Sequence, residues 1–304
     1  MDQPLVSVII PTYKRSDFLC TTIDSVLAQT YPNIEIIVVD DNGLGTTFQQ
    51  ATEKRLLPYI RMKQINYICH EVNKNGSAAR NTGFRASHGE YINFLDDDDE
   101  LLLEKIDKQV SILQNAELKY GAVYCNSIIS IQSFTRRKKN IRTKSLAYGN
   151  ICREYLMNEC PFNTSTILFR RSVIENLNGF DESFVRHQDY ELMTRFFNNY
   201  EILPTGIEPL VCYDLTKDRT NTPNPKMDFE IKEKFINEFS DSFEKWGYKN
   251  TICHYMWVQC ALGALLSKNR DFFKKAIINS ISYAKLNMKD YLLILKYYIV
   301  GLLK

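Results

Sequence analysis

Apolar, β-branched runs alternate with helix-spaced stretches over the first hundred residues. Val6, Ser7, Val8, Ile9 and Ile10 form a run that Pro11 stops, which predicts a buried strand entering a loop. From Ser16 to Gln29 the apolar positions Phe18, Leu19, Ile23, Val26 and Leu27 recur at helical spacing. A second largely apolar run, residues 34–39, ends on Asp40 and Asp41. Strand, helix and strand joined at this length make a βαβ unit, from which parallel sheets are built. A third strand is predicted at residues 65–69, then a small-residue helix around Arg80. A fourth strand at residues 91–95 runs directly into Asp96, Asp97, Asp98 and Asp99. From about Pro225 onward the pattern is helical.

Composition narrows the class without naming a function. The chain has 304 residues, 44% hydrophobic and 24% charged, enough for one large globular domain with an appendage. Net charge is only +2, so nothing global suggests a nucleic-acid partner. The eight cysteines are scattered, which favours reduced thiols over a disulfide or zinc framework. Residues 1–4 carry no basic, apolar leader, and a cytoplasmic location is expected.

Four adjacent carboxylates repel one another unless solvated or holding a cation. Placed at the C-terminal end of a strand, they sit where open α/β sheets bind ligands. Hard ions such as Mg²⁺ and Mn²⁺ prefer such oxygen donors. A solvated acidic turn is the plainer alternative, with Asp99 capping a helix that starts near Glu100.

Taken in order, the segments 6–13 (from Val6 to Tyr13), 36–41 (ending Asp40, Asp41), 76–83 (Gly76, Ser77, Ala78, Ala79, Arg80, Asn81, Thr82, Gly83) and 94–99 resemble the family 2 glycosyltransferases of GT-A fold. The resemblance spans roughly residues 5–215. It implies an α/β, Rossmann-like architecture with a mostly parallel central sheet flanked by helices. The transferase domain would occupy residues 1–222, with a nucleotide-sugar half at about 1–100 and an acceptor half at about 101–222. A C-terminal helical region would fill residues 223–304. The implied reaction is an inverting transfer of a sugar from a nucleotide diphosphate-sugar to an acceptor hydroxyl, assisted by Mn²⁺ or Mg²⁺.

The same resemblance assigns roles. Asp98 would bind the metal, with Asp96 nearer the ribose or outside the metal's inner ligands, and Asp97 beside them. Pro11, Thr12, Tyr13 and Arg15 would cradle the base and ribose. Asp41, or its neighbour Asp40, would accept a hydrogen bond from the base imide, which favours a UDP-sugar. Arg80, among small neighbours that permit close approach, would reach the nucleotide or its phosphates, with Lys74 a weaker candidate.

In the second half, residues 162–171 resemble the strand that precedes a characteristic turn of the family, here at Asn178 and Gly179. Inversion needs a base on the acceptor side. Asp189 is the choice, with His187 as a rival because imidazole titrates near neutrality. Gln188 departs from the acidic residue of most relatives, and Arg195 matches their accessory arginine. Residues 130–144, rich in Lys and Arg, read as a solvated loop or as a contact for an anionic acceptor or membrane. Residues 212–221 resemble a segment that closes over the donor, with Lys217 or Arg219 in place of the histidine of relatives.

Residues 251–304 carry eight Lys/Arg and two Asp and end in an apolar run broken by Lys296, shorter than a bilayer span. This run reads as a core helix, a homo-oligomer contact or an interfacial helix on the inner face of the membrane. A saccharide or lipid-linked saccharide acceptor, for bacterial surface polysaccharide, follows by analogy with the family. Two other classes compete. A nucleotidyltransferase acting on sugar phosphates would need a glycine-rich phosphate loop, which residues 11–15 lack; a non-catalytic carbohydrate- or cation-binding module would leave Asp189 and Arg195 without a purpose.

Overall fold

The structure, a computed structural model, describes residues 3–132, 138–160, 162–214 and 224–303. Two compact units divide the chain: Met1–Cys152 with Cys160–Asp218, and Arg153–Glu159 with Arg219–Lys304.

The first unit opens as a repeated βα pattern: β1 (Val6–Thr12), α1 (Ser16–Leu27), β2 (Ile34–Asp40), α2 (Thr47–Arg61), β3 (Asn66–Cys69), α3 (Gly76–Ala86) and β4 (Tyr91–Phe94). The sheet order β3-β2-β1-β4 is parallel throughout. Val6, Val8 and Ile10 turn one face of β1 onto Leu19, Ile23 and Val26 of α1, all buried. Ile9 and Val39 point the other way, toward α3. There Gly83 permits close packing, because a Cβ on it would lie 2.4 Å from the Ile9 side chain. The pairing Thr12↔Asp40 and Ile9↔Phe94 brings the ends of β1, β2 and β4 to one edge.

Beyond β4 the chain continues through β5 (Glu100–Leu101), α4 (Lys105–Asn115), β6 (Tyr120–Gln132), β7 (Lys138–Arg142), the short α5 (Cys152–Leu156), which belongs to the second unit from Arg153 on, and then β8 (Ile167–Arg170), α6 (Arg171–Asn176), α7 (Gln188–Phe197) and β9 (Glu201–Asp214) of the first unit. β8 joins β4 antiparallel, and β6, β9 and β5 extend the sheet. Two local expectations change. Glu100 and Leu101 pair with Cys212 and Val211 of β9, so the chain after Asp99 is strand, and the helix starts only at Lys105 with Glu104 at its cap. Residues 138–142 of the basic stretch pair with β6 instead of forming a loop. Arg136 and Arg137 lie outside the described residues.

The second unit contains α8 (Pro225–Lys245), α9 (Lys249–Leu266), α10 (Arg270–Tyr283) and α11 (Met288–Leu303). Phe235, Phe239 and Phe243 of α8 and Met256, Trp257 and Ala261 of α9 are buried. His254 of α9 contacts Ser280 Oγ at 2.9 Å and Asp290 Oδ2 at 3.1 Å, tying α10 and α11 to it. Among the described residues no helix is long and apolar enough to cross a membrane.

Candidate active site

The acidic cluster is held from two sides by arginines. Asp97 turns inward at the end of β4: its Oδ2 accepts from Thr12 Oγ1 at 2.7 Å and its carbonyl from Thr22 Oγ1 at 3.0 Å. Arg15 donates to Asp98 Oδ2 at 2.8 Å and lies 3.0 Å from Asp97 Oδ1, an ionic contact without hydrogen-bond alignment. Burial pushes the Asp97 carboxyl up to about 7, opposed by Arg15 and the Thr12 hydroxyl and reinforced by Asp98 and Asp96. Burial alone would lower the Arg15 pKa, yet Asp97, Asp98 and their neighbours outweigh it and raise the value. Thr12 and Arg15 therefore organise the carboxylates in this structure.

Arg80 grips the other end of the cluster. Its Nη2 donates to Asp96 Oδ1 at 2.7 Å and its Nη1 to Gln188 Oε1 at 2.8 Å, with the Phe180 ring 5.5 Å beneath. The Asp96 amide donates to Ser165 Oγ at 3.1 Å. Gly76 leaves room for this pair, since a Cβ there would stand 2.9 Å from Gln188 Oε1 and 3.0 Å from Arg80 Nη1 and push these side-chain ends aside. The helix N-terminus at α3 thus brings Arg80 to the sheet edge while Asn75 caps it, accepting from Ala78 N at 3.2 Å.

The two carboxylates after β2 do different work. Asp40 is buried and accepts from Asn42 and from Tyr67 OH at 2.8 Å; burial raises its pKa. Both oxygens of Asp41 are occupied by four donors: His70 Nδ1, Asn73 Nδ2, Lys74 N and Asn75 N, at 2.7–2.9 Å. Asp41 thereby shapes the turn into α3, with the Lys74 backbone amide bound inside it. Pro11 lies on β1 opposite Val39, and Tyr13 is half-exposed with the Lys14 ammonium 4.8 Å from its ring.

α7 starts at Gln188 after His187, whose left-handed backbone (φ 57°) forms the cap. Asp189 is the second residue of this helix and is half-buried; His187 stacks on Tyr190 with centroids 5.3 Å apart. Arg195 points back along the helix to Glu191, and its Nη2 donates to Gly179 O at 2.8 Å. It holds the Asn178 and Gly179 turn, where both residues have positive φ. Arg195 is thus a scaffold for the loop before α7. Lys217 and Arg219 lie outside the described residues.

Asp96 and Asp98 supply hard oxygen donors on alternate residues, and three carboxylates face two guanidinium groups, so the cluster keeps an excess of negative charge unless Asp97 is protonated. That donor set fits Mg²⁺ or Mn²⁺. Sequence reasoning missed His70, Thr22 and Ser165, which fix the cluster and its supporting turn. They join segments distant in sequence, and no local pattern marks them.

The model of Glycosyl transferase family 2 matches residues 7–177, and the chain belongs to that family. Among curated relatives, the amylovoran biosynthesis glycosyltransferase AmsB of Erwinia amylovora is 33% identical over 197 residues, covering 62% of this chain and 62% of its own. The UDP-Glc:alpha-D-GlcNAc-diphosphoundecaprenol beta-1,3-glucosyltransferase WfgD of Escherichia coli is 30% identical over 197 residues, 63% of this chain and 69% of its own. The chain spans 62%, 59% and 58% of the length of the first curated relatives it matches. In fold it is similar to TarS of S. aureus in complex with UDP-GlcNAc, with TM-score 0.60 and 15% identity over 92% of this chain and 91% of that one. It is likewise similar to the mannosyltransferase PcManGT from Pyrobaculum calidifontis in complex with GDP-Man and Mn2+, with TM-score 0.58 and 18% identity over 99% and 81%. The fold is GT-A.

Proposed function

We propose that this protein transfers a sugar from a nucleotide diphosphate-sugar, with a UDP-sugar favoured, to an acceptor hydroxyl with inversion at the anomeric carbon. The observation that carries the reading is the joining of Asp96 to Gln188 through Arg80. One side chain links the acidic edge of the parallel strands to the helix that carries Asp189.

In this reading Asp98, with Asp96 beside it, holds the divalent metal. When bound, the metal supplies Lewis-acid stabilisation of the leaving diphosphate. Arg80 and Arg15 add positive charge at the same edge. Pro11, Thr12 and Tyr13 border the nucleoside pocket, and Asp41 contributes through the turn it fixes. Asp189 accepts the proton of the acceptor hydroxyl while that oxygen forms its bond to the anomeric carbon and the bond to the diphosphate breaks. Residues 1–100 would then serve the donor and residues 101–222 the acceptor, with residues 223–304 as a helical appendage.

The acceptor is a lipid-linked saccharide in the synthesis of a bacterial surface polysaccharide, at the inner face of the cell membrane. Support comes from the names of the two relatives, amylovoran biosynthesis and GlcNAc-diphosphoundecaprenol. A panel of UDP-, GDP- and dTDP-sugars, read by thermal shift with and without Mn²⁺, tests the donor. A UDP-sugar should raise Tm in a metal-dependent way; a panel with no shift under either condition would contradict the proposal.

A further inference from the structure

α11 is apolar on two sides. Asp290 is buried against His254 of α9, and Ile294 and Tyr297, at helical spacing from it, are half-buried on the same side. The opposite side carries Met288, Tyr291, Leu292, Leu295, Tyr298 and Ile299, all exposed, from 49% at Ile299 to 74% at Met288. At 3.6 residues per turn these six fall within a sector of about 120°. Single exposed apolar residues are ordinary on a protein surface, but six aligned on one helix mark an interaction surface. Lys289 and Lys296, both exposed, lie together along one edge of the stripe, and the acid of this helix is the buried Asp290. α10 repeats the pattern, with Ile278 and Ile281 exposed beside Lys274 and Lys275.

We propose that α11 lies flat on an anionic lipid surface, its apolar stripe at the headgroup and acyl boundary and its lysines among the headgroups. An apolar stripe flanked by lysines, on a helix whose described residues are not long and apolar enough to cross a bilayer, is the pattern of an interfacial anchor. Charge selects the occupant. Residues 251–304 carry eight Lys/Arg against two Asp. In a two-fold pairing of copies the same basic patch meets itself, whereas anionic headgroups complement it.

The test is co-sedimentation of the full chain with vesicles of phosphatidylcholine, with and without phosphatidylglycerol, and no sugar substrate, so its outcome is separate from that of the donor panel. The protein should pellet with the anionic vesicles, less so as salt rises, and stay in solution with the neutral ones. Leu292→Ser, Leu295→Ser and Ile299→Ser together should abolish pelleting while Tm and helix content stay unchanged, since all three positions are exposed. Lys289→Gln with Lys296→Gln should weaken binding about 25-fold, from about fivefold per lysine. The proposal is overturned by a wild-type protein that ignores anionic vesicles, by equal binding to neutral ones, or by a triple variant that binds as tightly as the wild type. A dimer in sedimentation velocity that the triple variant loses, with no vesicle binding, would assign the stripe to a second copy instead.

Discussion

Arg80 donates to the side-chain oxygen of Gln188 at 2.8 Å, across 108 residues of sequence. Its other terminal nitrogen reaches Asp96. The guanidinium is therefore fixed between the edge of the parallel strands and the first turn of α7. Because Gln188 is neutral, Asp96 is the one anionic partner of Arg80 in this pair of contacts.

Gln188→Glu would give Arg80 a second carboxylate and turn it from the donor phosphates. Charge-assisted hydrogen bonds are worth about twice neutral ones. Donor KM should rise by roughly 3- to 10-fold, with kcat changed by less than about twofold. Initial-rate kinetics over donor concentration check this; an unchanged KM would separate Gln188 from donor binding.

Two glycines of α3 should respond in opposite ways. A Cβ at position 76 meets only the flexible ends of Gln188 and Arg80, so Gly76→Ala should leave Tm nearly unchanged and lower activity. A Cβ at position 83 meets Ile9 at 2.4 Å and Val39 at 3.2 Å inside the packed face. Gly83→Ala should destabilise by about 1–3 kcal/mol, the usual cost of overpacking. Denaturant titration and a rate measurement on both variants distinguish the two cases.

Lys105 predicts a dependence of stability on pH. Its ammonium is buried without a hydrogen-bond partner, and burial lowers its pKa to about 8, with the Cys125 thiol opposing weakly. Between pH 8 and the ordinary lysine value of about 10.4 the unfolded chain binds the proton more tightly than the folded one. The Lys105 contribution is therefore destabilising below pH 8 and fades as pH rises through that window. Lys105→Met should raise stability at pH 7 by roughly 1–3 kcal/mol and remove this part of the slope. Equal pH slopes in the two proteins would show that Lys105 does not titrate in this range.

Asp189→Asn keeps size and hydrogen bonding but removes basicity. Donor affinity should stay near wild type while kcat falls by about 10²–10⁴-fold. If donor binding collapses and the rate at saturation is normal, Asp189 is a binding residue and His187 becomes the base to test.

The strands that build the donor edge were legible because β-branched runs ending in Pro11, Asp41 and Asp96 leave a period and a stop in the sequence. Arg80 stood out because Gly76, Ala78, Ala79 and Gly83 surround it with small side chains. Its bond to Gln188 carried no local signal, since it depends on how β8 and α7 return to the sheet. Asp41 illustrates the same limit: its position at the end of β2 was readable, while the four donors that fill its oxygens come mainly from a turn some thirty residues later. Glu100 and Leu101 follow a carboxylate that resembles a helix cap, and only the distant strand β9 makes them β5.

The most direct measurement follows UDP release from a UDP-sugar, with a diphosphoundecaprenol-linked saccharide as acceptor, in wild type and Asp98→Ala. The wild type should turn over with Mn²⁺ or Mg²⁺, fall silent in EDTA and recover when metal is restored. Asp98→Ala should show no turnover and no metal-dependent donor binding, while its Tm shows the fold intact, Arg15 still having Asp97 as a partner. Full activity of Asp98→Ala, or wild-type turnover that persists in EDTA, would contradict the assignment of this acidic edge as the metal-assisted transfer site.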